Sequence, residues 1–290
     1  MRYSIVNAGS KTVTEILKAY WTKYPGTCQT LNLLDYYPKY TAYQNVFEVI
    51  DSNVLPKNTN VEKISNKFFI EQILKETDVL VYFTHAYYEN VNCKNQLMAS
   101  IAQAVKHAPS IKKAIFVNLL EFNQTNEPDY FSKSIEIEKQ IAEDLPQAQV
   151  LRTDLTYSDK TSLISFLKYT RNLTVKDNSS IPVRWTNVEK VADCLNLMLT
   201  DKLTSKLNYV THSDEVAAGD LFQKLNIGKG SSFNINYAND DLITDVLSDA
   251  EYRNYTRLFT NTYRQDKLVS EYQQVAIDKK YPTVLGSVKL

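Results

Sequence analysis

Short apolar runs alternate with stretches of helical periodicity along most of this chain. RYSIV (2–6) predicts a strand that runs into a polar turn. Val13, Ile16, Leu17 and Tyr20 then fall at i, i+3, i+4 and i+7, one apolar stripe on a helix. Thr12 and Glu15 have the T-x-x-E spacing of a capping box at its start, and Pro25-Gly26 marks its end. CQTLNLL (28–34) predicts a second strand, whereas residues 36–60, polar and Tyr/Asn-rich with Pro38 and Pro56, read as an insertion that is partly loop. From there the alternation is regular: helix over 68–76, strand VLVYF (79–83), helix over 92–107, strand over 114–117, helix over 132–144, strand over 149–152. Strands alternating with helices of this length indicate βαβ units around a parallel sheet. After 155 the order loosens into helices over 158–170, 187–200 and 214–224, strands at 207–211 and 233–237, and a mostly helical stretch over 241–274.

Composition changes this picture at one point. The 290 residues contain only 6 glycines, about 2% against an average near 7%. None lies between Gly26 and Gly219, so a glycine-rich phosphate loop has to use the first 26 residues or the segment after 218. The Gly228-Lys229-Gly230 cluster has no phosphate-loop spacing around it and reads as a helix cap and turn. Charge is balanced, 33 basic against 33 acidic residues, which argues against a broad nucleic-acid footprint. No stretch approaches the roughly 18 apolar residues of a membrane span, and the first residues carry no signal-peptide core. Cys28, Cys93 and Cys194 form no CxxC pair, and His85, His107 and His212 are equally scattered, so neither a disulfide framework nor a zinc motif is present. The expectation is a protein of the cytoplasm without membrane attachment or metal.

A strand, tight turn and helix at the start of the chain occupy the place where dinucleotide-binding folds put their phosphate loop. SIVNAGSKTVTEIL (4–17), DVLVYFTHA (78–86) with KKAIFVNLL (112–120), and SKSIEIEKQIAEDLPQAQVLRTDL (132–155) carry a resemblance. So do VRWTNVEKVADCLNLML (183–199), LSDAEYRN (247–254) and PTVLGSV (282–288). In this order the chain resembles the NmrA-like group of atypical short-chain dehydrogenase/reductases over nearly its whole length, the 36–60 insertion aside. The resemblance implies a Rossmann-like doubly wound parallel sheet over 1–155 plus 186–213. A smaller C-terminal α/β lobe over 156–185 plus 214–290 would leave a small-molecule crevice between the two. It implies NAD or NADP as cofactor and hydride transfer to a small carbonyl or quinone-like acceptor. The rival reading is a non-catalytic regulator that senses nucleotide or binds a protein partner.

The departures from that pattern are specific. Asn7, Ser10 and Val13 stand at the three expected glycine positions, with Gly9 displaced. Asparagine tolerates the left-handed conformation the first position needs. Ser10 and Thr12 offer hydroxyls and Lys11 a charge for phosphate, while the branched Val13 stands where the helix is expected to approach closely. At the catalytic positions Asn118 replaces the expected serine. Lys133 falls at the lysine, but Asp129 replaces the tyrosine four before it. The Tyr-x-x-x-Lys pair occurs only at Tyr263 and Lys267, far along the chain, and reads as a helix-face pair. Lys133 either contacts a cofactor ribose or is a surface lysine within reach of Glu136. Asp35, after the second strand, is placed to accept from an adenine ribose, and the absence of a nearby arginine leans towards NAD. Phe83, Thr84 and His85 follow the next apolar strand at the carboxyl edge of the sheet. Arg152 and Asp154 either pair with each other or face the same crevice.

Overall fold

The computed structural model describes residues 1–26, 29–35, 55–56, 58–63, 67–84, 91–120, 128–159, 172–175, 182–217, 220–221, 224, 234–237 and 270–287. The strands are β1 (Arg2–Val6), β2 (Thr30–Asp35), β3 (Thr59–Lys63), β4 (Val79–Phe83), β5 (Lys113–Leu120) and β6 (Ala148–Tyr157). β7 (Asn172–Val175), β8 (Pro182–Asn187), β9 (Leu207–Val210), β10 (Asp214–Ala217), β11 (Asn234–Tyr237) and β12 (Gln273–Val275) follow. The helices are α1 (Lys11–Lys23), α2 (Lys67–Lys75), α3 (Val91–Lys106), α4 (Pro128–Asp144), α5 (Val188–Leu199) and the short α6 (Val284–Ser287).

Ten of these strands form one sheet in the order β10-β8-β6-β5-β4-β1-β2-β3, with β9 pairing β6 and β12 beyond it. Every pairing is parallel except β10 with β8. β7 and β11 form a separate parallel pair. β10 and β12 belong to stretches expected in the smaller lobe and β8 straddles the expected boundary at 185/186; all three are hydrogen-bonded into the main sheet.

Alternation along the strands divides the core into two layers. Tyr3, Ile5, Leu31, Leu33, Val81, Ile115 and Val117 pack with Val13, Ile16 and Leu17 of α1 and Val191 and Leu195 of α5. On the opposite face Val6, Leu34, Leu80, Tyr82, Phe116 and Val150 meet Ile70 and Leu74 of α2, Met98 and Ile101 of α3 and Ile141 of α4. Each such buried aliphatic or aromatic side chain contributes about 1.5–3 kcal/mol. Helices on both faces of a parallel sheet make the doubly wound fold the sequence predicts.

The differences from expectation have local causes. The chain enters α1 at Ser10, two residues before the capping-box reading, because Thr14 N already bonds Ser10 O at 2.8 Å. Glu15 therefore lies in the second turn, where it pairs with Lys18 rather than with a cap. The helix ends as expected, with Gly26 at φ 78° in the following turn. Residues 59–63, which begin inside the insertion and run past its end, are a polar edge strand. Residues 214–217, read as the start of a helix, pair antiparallel with β8 instead. Most of the helices expected over 158–170 and 241–274, with Tyr263, Lys267 and the Gly228-Gly230 cluster, lies outside the described residues.

Candidate functional site

Chain order along the sheet reverses between β1 and β4, which makes their carboxyl ends the topological switch point where open α/β sheets take ligands. Asn7, the first residue past β1, has φ 63°, the left-handed conformation expected of it. Its backbone N–H donates to Leu34 O at 2.8 Å and that of Ala8 to the same oxygen at 3.3 Å, fastening the turn to β2. Gly9 is buried within the turn. Ser10 occupies the N-cap position in extended conformation, yet its hydroxyl caps nothing. The N–H groups of Lys11, Thr12 and Val13 precede the first helical bond and are uncommitted within α1.

No acidic residue stands in that first turn, and Lys11 and Thr12 are half-buried at its rim. Val13, the residue most at odds with a glycine pattern, is 0% exposed inside the α1–sheet core. It occupies the helix–strand interface and not the space in front of the helix. A left-handed first residue, free amide donors and an adjacent lysine fit a phosphate-bearing ligand.

Phe83 ends β4 with its side chain in the core, and Thr84 is buried beside β5. Thr84 Oγ1 accepts from Leu119 N at 3.0 Å and donates to Asn118 Oδ1 at 3.4 Å. Asp35 ends β2 opposite Lys63 of β3. His85 lies outside the described residues.

The expected catalytic positions are arranged differently. Asn118 Nδ2 donates to Ser134 Oγ at 2.8 Å and to Glu138 Oε1. Arg152 clamps the same carboxylate, Nη2 to Oε1 at 2.6 Å and Nε to Oε2 at 3.0 Å, while its Nη2 also reaches Ser134 Oγ at 2.9 Å. The Tyr272 hydroxyl donates to Glu138 Oε2, and burial together with that carboxylate pushes its pKa well up. All five side chains are buried. Lys133 is not among them. Ser134, Ile135, Glu138 and Ile141 form the inward face of α4, while Lys133 shares the exposed face with Glu136, Gln140 and Glu143. The lysine expected beside a ribose thus points to solvent, and Ser134 takes the inward place. Arg152 pairs with Glu138, and Asp154 accepts from Tyr209 Oη at 2.6 Å. Ser134 and Glu138 share a helix face by their i, i+4 spacing, but nothing local marks that face as the buried one. Tyr272 had no signal.

A second cluster joins the C-terminal segment to α1 and α5. Asp193 accepts from Tyr24 Oη and Tyr281 Oη, both at 2.8 Å, and pairs with Lys23 at 3.2 Å and Lys279 at 3.5 Å. Burial opposes ionisation of Asp193, but the two phenols and Lys23 outweigh it and leave the carboxyl below its ordinary value. Burial and the Asp193 carboxylate push Tyr24 up to about 12. Among the described residues no His/Cys/Asp/Glu group could hold a metal, and no helix is long and apolar enough to cross a membrane.

Fold and turn together define a doubly wound, Rossmann-like α/β protein. No protein-family model and no curated protein sequence matches the chain. Solved structures match it throughout. A nucleoside-diphosphate-sugar epimerase from Staphylococcus aureus aligns with TM-score 0.64 at 13% identity, over 99% of both chains. An NADPH-dependent quinone oxidoreductase from Escherichia coli, complexed with NADPH, aligns with TM-score 0.61 at 12% identity over 93% of each chain. NmrA, a negative transcriptional regulator, aligns with TM-score 0.55 at 11% identity over 92% of this chain and 81% of its own. The NmrA-like resemblance of the sequence is therefore met in the fold.

Proposed function

We propose that this chain binds NAD or NADP at the carboxyl edge of its sheet and acts as a nucleotide-responsive regulator rather than as a dehydrogenase. The observation that carries the reading is the left-handed Asn7 turn, which delivers the acid-free start of α1 to the β1–β4 switch point. The fold is shared with a quinone oxidoreductase complexed with NADPH, which supports the same class of ligand. Against catalysis stands the arrangement of Asn118. Its amide is spent on Ser134 and Glu138, and Lys133 lies on the solvent face of α4. Neither Asn118 nor Lys133 is thereby placed to exchange a proton with a carbonyl substrate. A small-molecule ligand in the adjoining crevice or a protein partner would then read out the bound state.

Calorimetric titration with NAD, NADH, NADP and NADPH, paired with thermal unfolding, tests this. A bound dinucleotide stabilises the native state by about 2.7 kcal/mol at a hundredfold excess over Kd. Absence of heat and of any melting shift at millimolar concentrations of all four refutes the reading. Reduced cofactor incubated with a panel of quinones and carbonyls is expected to remain unoxidised. Turnover there would restore the alternative, hydride transfer to a small carbonyl or quinone acceptor.

A further inference from the structure

The carboxyl ends of β1 and β4 separate at a single residue. Their register runs from Tyr3 opposite Val79 to Val6 opposite Tyr82, so the next pair is Asn7 and Phe83. There the main chains diverge. The Asn7 and Ala8 N–H groups go to Leu34 O on β2, while Thr84 N goes to Val117 O on β5 at 3.0 Å. A side chain spans the fork between them. Asn7 Nδ2 donates to Phe83 O at 2.6 Å, and the residue is 0% exposed. Asn7 Oδ1 is buried there without a hydrogen-bond partner. Glycine would hold the same φ without steric cost and leave the fork open. Asparagine keeps the turn but fills the space it encloses.

We infer that the Asn7 carboxamide is a clasp across the switch point that limits how tightly the site holds a dinucleotide. The inference rests on the dinucleotide-binding reading above and adds the residue that sets affinity. Two features act in that direction. The amide ties β1 to β4, so a ligand entering the fork must displace or override the bridge. The buried, unpaired Oδ1 is an acceptor, and a diphosphate, which presents only acceptors, cannot satisfy it.

Asn7→Gly separates this role from a structural one, because affinity and stability should move in opposite directions. The variant loses a buried hydrogen bond and is expected to melt several degrees lower than the wild type without ligand. Its affinity for the best of NAD, NADH, NADP and NADPH is expected to rise at least tenfold. If Asn7→Gly gives no cooperative melt, Asn7→Ser, too short to bridge to Phe83 O, takes its place. Binding by the wild type with equal or weaker binding by the variant overturns the clasp and leaves the dinucleotide reading standing. Binding by the variant alone upholds the clasp and refutes that reading for the native chain. Silence from both proteins, each shown to be folded, removes both.

Discussion

The Glu138 carboxylate and the Arg152 guanidinium meet through two hydrogen bonds while their side chains are 0% and 2% exposed. The contact links α4 to β6 beneath the carboxyl edge of the sheet. Removing one partner leaves a buried charge without its complement. Glu138→Ala and Arg152→Ala are each expected to cost about 3–5 kcal/mol in urea unfolding. The pair Glu138→Leu/Arg152→Met, which removes both charges, is expected to cost well below the sum.

Asp193 gives the fold a dependence on acid. Its carboxyl is held below the ordinary value in the folded chain, so its contribution is present in full above the unfolded pKa of about 3.9. That contribution disappears as pH falls through the lower folded value. Asp193→Asn is expected to lose about 2 kcal/mol at neutral pH. It should also flatten the decline in melting temperature below pH 4, followed by circular dichroism.

Val13→Ala distinguishes a core residue from a phosphate-site obstruction. The valine is fully buried under α1, and its truncation is expected to cost about 2 kcal/mol of stability. Once corrected for the unfolded fraction, dinucleotide affinity measured calorimetrically should not change.

Lys11 and Lys133 are expected to behave differently although both are helix lysines. Lys11→Ala should weaken dinucleotide binding several-fold, with a shallower dependence on added salt, and leave the melting temperature of the free protein in place. Lys133→Ala, on the exposed face of α4, should alter neither binding nor stability by more than about 0.5 kcal/mol.

The parts of this fold that were legible in the sequence are those whose signal is local. VLVYF is a strand because all five residues are buried. The α1 stripe reads directly because its partner is the continuous apolar face of β1, β2 and β4. The resemblance marked position 7 as one that needs a left-handed residue, and the tolerance of asparagine for that conformation let Asn7 supply it. What escaped depends on distant partners. TNVEK becomes β3 by pairing with β2, and DEVA becomes β10 by pairing with β8. Neither segment has the pattern of a buried strand. The role of Glu138 was hidden for a similar reason, since an acidic residue on an amphipathic helix reads as solvated until Arg152 and Tyr272 are placed around it.

β6 is buried along all ten residues and is shared by three neighbours. β5 lies along one side, while the other side is divided between β9, at Val150–Arg152, and β8, at Leu155–Tyr157. A one-residue deletion between those two segments would invert every side chain beyond it relative to the sheet faces. It would misplace Trp185 and Tyr157 together, since both are fully buried where β6 and β8 meet. Length changes in descendants of this sequence should therefore accumulate in the connections leading to β8 and β9. The span from 148 to 157 should keep its length even where its residues change.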